Sequence, residues 1–176
     1  MTWQAPITWT TNQTVTSAQL NAQIRDNMLE TAPAKATTAG YHFASNGTNT
    51  IAERAILDQV IDTLESTAVT TYTNLATDGP TVTMTTGVKA LVWHTAQCSN
   101  SGVGSALTSF EITGATTTAA SDARCIQSDG VAAATWRFGT TSLMATTPGS
   151  NTFHMQYKAG SGTATFQKRR MIVMGL

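Results

Sequence analysis

The run Thr77-Asp78-Gly79-Pro80-Thr81-Val82-Thr83-Met84-Thr85-Thr86-Gly87-Val88-Lys89-Ala90-Leu91-Val92-Trp93-His94 decides the fold class. Asp78-Gly79-Pro80 is turn chemistry. Val82 and Met84 then alternate with threonine at the period of a half-buried strand, until Gly87 interrupts the pattern. Leu91-Val92-Trp93-His94 opens a longer strand that ends at Asn100-Ser101-Gly102-Val103-Gly104. The same grammar continues downstream. Residues 107–112 place Phe110 and Ile112 on one face, and Gly114 closes them. Residues 124–126 run to the turn Asp129-Gly130, and residues 134–138 set Trp136 and Phe138 facing alike. Pro148-Gly149-Ser150-Asn151 introduces residues 152–157, and Gly160-Ser161-Gly162 precedes a closing strand over 163–173. Upstream, residues 68–75 read as one more strand leading into the Asp78-Gly79 turn. About seven or eight short strands separated by turn clusters predict an antiparallel β-sandwich over residues 67–176.

Composition points the same way. Threonine makes up roughly a fifth of the 176 residues, and its β-branched side chain suits a pleated, half-buried surface. Aliphatic and aromatic residues alternate through the threonine runs, which separates them from a disordered stalk. Charged residues are 11% of the chain, against roughly 25% in an average domain. The formal net charge is zero, so there is no basic stripe to neutralise phosphates, and nucleic acid is not an expected partner. No stretch approaches the roughly 18 continuous apolar residues of a membrane span. The first residues lack the basic start and apolar run of a signal peptide, so synthesis in a cytoplasm is expected. Cys98 and Cys125 lack metal-ligand spacing and are too few for a disulfide framework; both are expected to be reduced, separate and buried.

Residues 1–35 follow a different grammar. Met1-Thr2-Trp3-Gln4-Ala5-Pro6-Ile7-Thr8-Trp9 has aromatic weight but no helical period. Rings of that size fold back on their own domain or fill a pocket on a partner, since leaving them in water forgoes burial free energy. A well-marked helix follows. Thr16 is the N-cap, with Gln19 completing a capping box, and Val15 and Leu20 are placed as a hydrophobic staple. Leu20, Ile24 and Met28 recur every four residues, Leu29 widens the stripe, and Pro33 ends the run. The stripe could pack copies of the chain around an axis, lie against another subunit, or cap its own β-domain. Trp3, Ile7, Trp9, Val15, Leu20, Ile24 and Met28 are therefore the candidate anchoring surface. Residues 36–66 read as a connector, with turn chemistry at Ser45-Asn46-Gly47-Thr48-Asn49-Thr50. Within it Ile56, Val60 and Leu64 fit a helix of period four and a strand alike; extended structure is the better fit because no cap precedes them.

Catalytic and metal constellations are sparse. His42, His94 and His154 fall in unrelated segments; His94 and His154 could meet across a sheet, but a satisfied surface or core histidine is the simpler expectation. There is no Gly-x-Ser-x-Gly elbow. Asp78, Asp122 and Asp129 sit beside turns, where aspartate belongs structurally. Glu111 is mid-strand, the best single carboxylate for a glycan hydrolase but without an evident second. Gly102-Val103-Gly104 and Gly160-Ser161-Gly162 precede no helix and cannot cradle phosphate. Lys168-Arg169-Arg170 lies inside the closing strand, where alternation splits it between faces, as a solvated face or an inter-subunit ion pair. Trp93 and Trp136 are the candidates for a sugar-binding aromatic platform, though their strand context favours burial. No metal and no cofactor is expected.

Trp9-Thr10-Thr11-Asn12-Gln13-Thr14-Val15-Thr16-Ser17-Ala18-Gln19-Leu20-Asn21, continued by Ile24-Arg25-Asp26-Asn27, resembles the N-terminal segment of many tailed-bacteriophage virion proteins, namely minor tail proteins, tail fibres and head fibres. Tyr72-Thr73-Asn74-Leu75-Ala76-Thr77-Asp78-Gly79-Pro80-Thr81-Val82-Thr83 is similar to the entry of their β-domain. Pro148-Gly149-Ser150-Asn151-Thr152-Phe153 and Phe166-Gln167-Lys168-Arg169-Arg170-Met171-Ile172-Val173 are similar to its close. The resemblance implies a mainly β protein: an antiparallel jelly-roll-like β-sandwich preceded by an N-terminal extended arm and one short amphipathic helix. It implies a non-enzymatic virion structural protein, made in the host cytoplasm and commonly a homotrimer. The arm would bind phage capsid or tail proteins. Lacking a long repetitive shaft, the chain fits a capsid decoration or short head fibre better than a long fibre. A minor tail or tail-fibre adsorption protein that binds host-surface glycan is the alternative.

Overall fold

The computed structural model describes residues 4–29, 31, 35–48, 50–128, 132 and 134–176. Trp3, Pro33 and the expected turn at Asp129-Gly130 lie outside the described residues. The chain divides into two compact units, Met1–Ala55 and Ile56–Leu176.

In the first unit the helix begins where the capping box places it. Thr16 Oγ1 accepts from Gln19 N at 3.2 Å, and Gln19 Oε1 accepts from Thr16 N at 3.0 Å. α1 (Ser17–Leu20) passes into a π-helical stretch, Asn21–Asp26, and ends as α2 (Asn27–Leu29). The stretch read as a connector holds a β-hairpin, β1 (His42–Gly47) and β2 (Thr50–Arg54), paired from His42↔Arg54 to Gly47↔Thr50. Its bend falls on the Asn46-Gly47-Thr48 turn signal, with Gly47 at φ 148°, a conformation that favours glycine. Glu53 ties the preceding chain to this hairpin: its carboxylate accepts from Thr37 N, Thr37 Oγ1 and Thr38 N at 2.6, 2.6 and 3.1 Å. Those bonds, the Thr37 hydroxyl first, hold the carboxyl below its ordinary range.

The second unit contains β3 (Ile56–Ile61), β4 (Glu65–Thr67), β5 (Thr81–Thr86), β6 (Lys89–Asn100), β7 (Ala106–Gly114), β8 (Ile126–Ser128), β9 (Trp136–Ala145), β10 (Gly149–Ala159) and β11 (Ala164–Gly175). Residues 56–61 are thus extended, as expected, and the sheet reaches back along the chain beyond Thr67. One sheet runs β5-β10-β7-β8 and the other β3-β11-β6-β9, with the short β4 also on β11. All pairings are antiparallel. Leaving β4 aside and counting in chain order, the second strand pairs with the seventh and the fourth with the fifth in the first sheet. In the second sheet the first strand pairs with the eighth and the third with the sixth. That is one long hairpin of strand pairs wrapped around a core, the jelly-roll connectivity.

Alternation builds the core. Val82, Met84 and Thr86 point in from β5, and Val92, His94, Ala96 and Cys98 from β6. Phe110 and Ile112 of β7 share one face as expected, and meet Phe153, Met155 and Tyr157 of β10 with Phe166 of β11. Each such ring or aliphatic side chain contributes about 1.5–3 kcal/mol on burial. β11 is not uniformly alternating. Gln167 pairs with Gln97 and Arg170 with Thr95, so Lys168 and Arg169 together stand opposite Ala96. This bulge, with Lys168 at φ 49°, switches the buried set from Ala164 and Phe166 to Arg169, Met171 and Val173.

Two expected strands differ. Residues 68–75 form no regular strand: β5 begins only at Thr81, and single contacts extend its edge upstream along β10, through Met155 N to Pro80 O, the Thr73–Tyr157 pair and Ala159 N to Val69 O. A chain that bulges out between those contacts cannot keep a ladder. Arg124, expected in a strand, ends a 3-10 turn (Asp122–Arg124) capped by Ser121, whose hydroxyl competes for the backbone.

Both ends of the sandwich are tied by buried asparagines. Asn151 Nδ2 donates to Thr86 Oγ1 at 2.8 Å and Thr147 O at 3.0 Å, while its Oδ1 accepts from Thr116 N at 2.7 Å. Asn100 Nδ2 donates to Ser105 O at 3.1 Å and Ser161 O at 2.9 Å, and its Oδ1 accepts from Gly102 N at 3.0 Å. The loops are thereby pinned by side chains that are nearly fully satisfied.

Candidate docking surfaces

The arm is laid against the helix by two side-chain amides one turn apart. Asn27 accepts from Gln4 N at 2.9 Å and donates to Gln4 O at 3.1 Å. Gln23 accepts from Ile7 N at 3.0 Å and donates to Ala5 O at 3.4 Å. Each amide thus satisfies a backbone donor and acceptor as a neighbouring strand would. The arm and helix become one scaffold, on which Ile7, Trp9, Val15, Leu20, Ile24 and Met28 are all exposed, Met28 at 64%. Of the expected anchor only Trp3 lies outside the described residues. Sequence reasoning passed over Gln23 and Asn27; their spacing of four on one helix face was the available signal.

The outer faces of the sandwich have opposite characters. On the β5-β10-β7 sheet the outward side chains include Thr83, Thr152, His154 and Glu111, with the Thr83 and Thr152 hydroxyls 2.8 Å apart. His154 Nδ1 lies 3.3 Å from Glu111 Oε1, a cross-strand pair invisible in the linear sequence. On the other sheet three outward rows cross all four strands in register. Ile56, Met174, Leu91 and Leu143 form the first row, and Asp58, Ile172, Trp93 and Thr141 the second; the third runs from Val60 through Arg170 and Thr95 to Gly139. Leu143 is 57% exposed, and Ile56 and Val60 are exposed as well.

Trp136 and Phe138 correct an expectation. They pair with Cys98 and Ala96, which are fully buried, so they point to the core side of edge strand β9. Yet Trp136 is 47% exposed and stacks on Phe138 with centroids 6.1 Å apart and planes at 18°. Among the described residues the other sheet ends in β8, three residues long. Trp93 lies on the outer face and is half-buried, not in the core.

The histidines do not meet. His94 belongs to the β6 sheet and His154 to the β10 sheet. His94 is fully buried, edge-on to Phe110 at 5.4 Å. It is a core histidine; burial pulls its pKa down to about 4, and the Thr108 backbone beside it opposes that only weakly. Cys98 is buried and its thiol is pushed up to about 12 by burial; Cys125 is only half-buried, and both are free. Lys168-Arg169-Arg170 is split three ways. Lys168 is exposed, and Arg170 pairs with Asp58 of the same chain at 2.7 Å. Arg169 is fully buried, donating to Thr77 O at 3.1 Å and Thr63 O at 3.2 Å over the Tyr157 ring.

A shallow cleft of about 550 Å³ opens between residues 70–72, residues 119–122 and Lys158. Asp122 accepts from the Tyr72 hydroxyl and the Lys158 ammonium, each at 2.8 Å. The Lys158 bond first, then that of Tyr72, holds the Asp122 carboxyl low, while burial raises the Tyr72 hydroxyl. The three groups satisfy one another. Among the described residues no three His, Cys, Asp or Glu side chains gather as metal ligands, and no helix is long and apolar enough to cross a membrane.

No protein-family model matches the chain, and no curated protein matches it.

Proposed function

We propose that this chain is a non-enzymatic structural protein of a bacteriophage particle, a trimeric capsid decoration or short head fibre that attaches through its N-terminal arm and displays the β-sandwich. The observation that carries this reading is the arm-and-helix scaffold. Gln23 and Asn27 fix the arm along the helix, while Ile7, Trp9, Leu20, Ile24 and Met28 stay exposed. A pre-ordered apolar surface loses little conformational entropy when a partner covers it. Three displayed domains per trimer and many trimers per particle would turn weak loop contacts into useful avidity. Imaging of intact particles with gold-labelled antibody against residues 70–176 tests the reading: label over the head supports it, and particles without label overturn it. Replacing Trp9 with Ala should release the protein from particles with its fold intact; full occupancy by that variant would sink the anchor.

One observation favours the alternative, an adsorption protein of the tail that binds host-surface glycan. The exposed Trp136–Phe138 stack is the flat apolar platform on which a sugar ring packs. Gold confined to the tail, with host-cell binding lost in Trp136→Ala, would select this reading over the first.

A further inference from the structure

We propose that the outer face of the β3-β11-β6-β9 sheet is where copies of this chain meet, each copy turning its apolar rows towards a shared axis against the same rows of its neighbours. The inference deepens the oligomeric part of the reading above and rests on it only for stoichiometry. Ile56, Met174, Leu91 and Leu143 make an unbroken apolar row across four strands, and Ile172 and Trp93 continue it into the next. An outward sheet face facing only water alternates to polar residues, as the β5-β10-β7 face of the same domain does. An apolar core with aromatic and methionine content is instead the composition of an interface centre.

Its size, and the paired charges at its centre, point to a second copy. β6 and β11 have twelve residues each, about 40 Å of strand, and four strands span about 15–19 Å. The face therefore offers roughly 600–750 Å² in projection, close to the ~800 Å² per partner of a standard interface. Within the three rows the charges are Asp58 and Arg170, paired at 2.7 Å, while Lys89 and Arg137 share the outward parity one row beyond at either end. At the centre of the contact each Asp58 can exchange its partner for the Arg170 of the other copy.

The full chain is tested by light scattering behind size exclusion and by sedimentation equilibrium from about 1 to 100 µM. Leu143→Glu and Val60→Glu alter opposite edge strands at exposed positions, and Thr83→Glu alters the other outer face as a control. Circular dichroism confirms that each variant is folded. The expected result is a wild-type mass at a whole multiple of the monomer, a dissociation constant weakened at least about tenfold in both face variants, and no change in the control. Concentration-dependent protection of Met174 from peroxide in the wild-type chain gives the same answer without substitution. A monomer at 100 µM overturns the proposal, as does an oligomer that both face variants leave intact. Failure of gold labelling with self-association intact would remove the virion reading and leave this face standing.

Discussion

The two outer faces of the sandwich flank the same core and are built from strands of similar length, yet one is covered with hydroxyls and the other with aliphatic rows. On β10, Thr152 and His154 face out; on β11, Ile172 and Met174 do. Strand alternation requires only that one side of each sheet be apolar, so the second apolar side is surplus to folding. What the contrast teaches is that the two parities of the same strands can carry different tasks: one builds the core, and the other is the face proposed for association. The bulge at Lys168-Arg169 keeps them apart on β11, because it decides which parity of the last half-strand enters the core.

Inserting one alanine between Arg169 and Arg170 is the hardest blow to that arrangement. It would send Arg170, Ile172 and Met174 inward and turn Met171 and Val173 out, and cooperative unfolding in denaturant should be lost. An insertion variant with the wild-type midpoint would mean that the bulge absorbs the extra residue without a change of face. Next in size is Asn151→Ala, which strands Thr116 N and Thr147 O at a buried site. A loss of about 2–4 kcal/mol in urea unfolding is expected from two or more unmet partners.

His94 gives a pH signature. Its folded pKa of about 4 lies below the unfolded value near 6.5, so the unfolded chain binds the extra proton between them. Stability should therefore be full above about pH 6.5 and decline as pH falls towards 4, by at most about 3 kcal/mol. His94→Leu should flatten that part of the profile, and an unchanged slope would assign it to other groups. Smallest is Thr83→Val on the hydroxyl face. A shift within about 0.5 kcal/mol is expected, since only one exposed hydroxyl contact is lost.

Much of this was legible from residues. The alternation at Val82 and Met84, the extent of β6 and the Thr16–Gln19 capping box are local signals, and local chemistry produced them. The bulge was not, because a change of parity inside Lys168-Arg169-Arg170 leaves no mark that alternation can detect. Trp136 shows a second limit. Its neighbours place it on the core side of β9, but how far it is covered there is set by tertiary packing that its own strand cannot show. The His154–Glu111 pair and the Asp122 cluster are likewise products of register between distant strands. The helix stripe of Leu20, Ile24 and Met28 was legible from its period, while its exposure was left open between docking and folding back; the amides that hold the arm showed only as a spacing of four.

Asp58 and Arg170 are joined across 112 residues of sequence, and β11 is flanked on both sides by strands made long before it. During synthesis β3 and β6 must therefore wait, side by side with nothing between them, until the closing strand emerges. Contacts that distant are slow to form, which places this domain at the slow end of folding rates. In that interval the unpaired edges of β3 and β6 are exposed to other nascent chains, and the cell's chaperones would meet the protein there first.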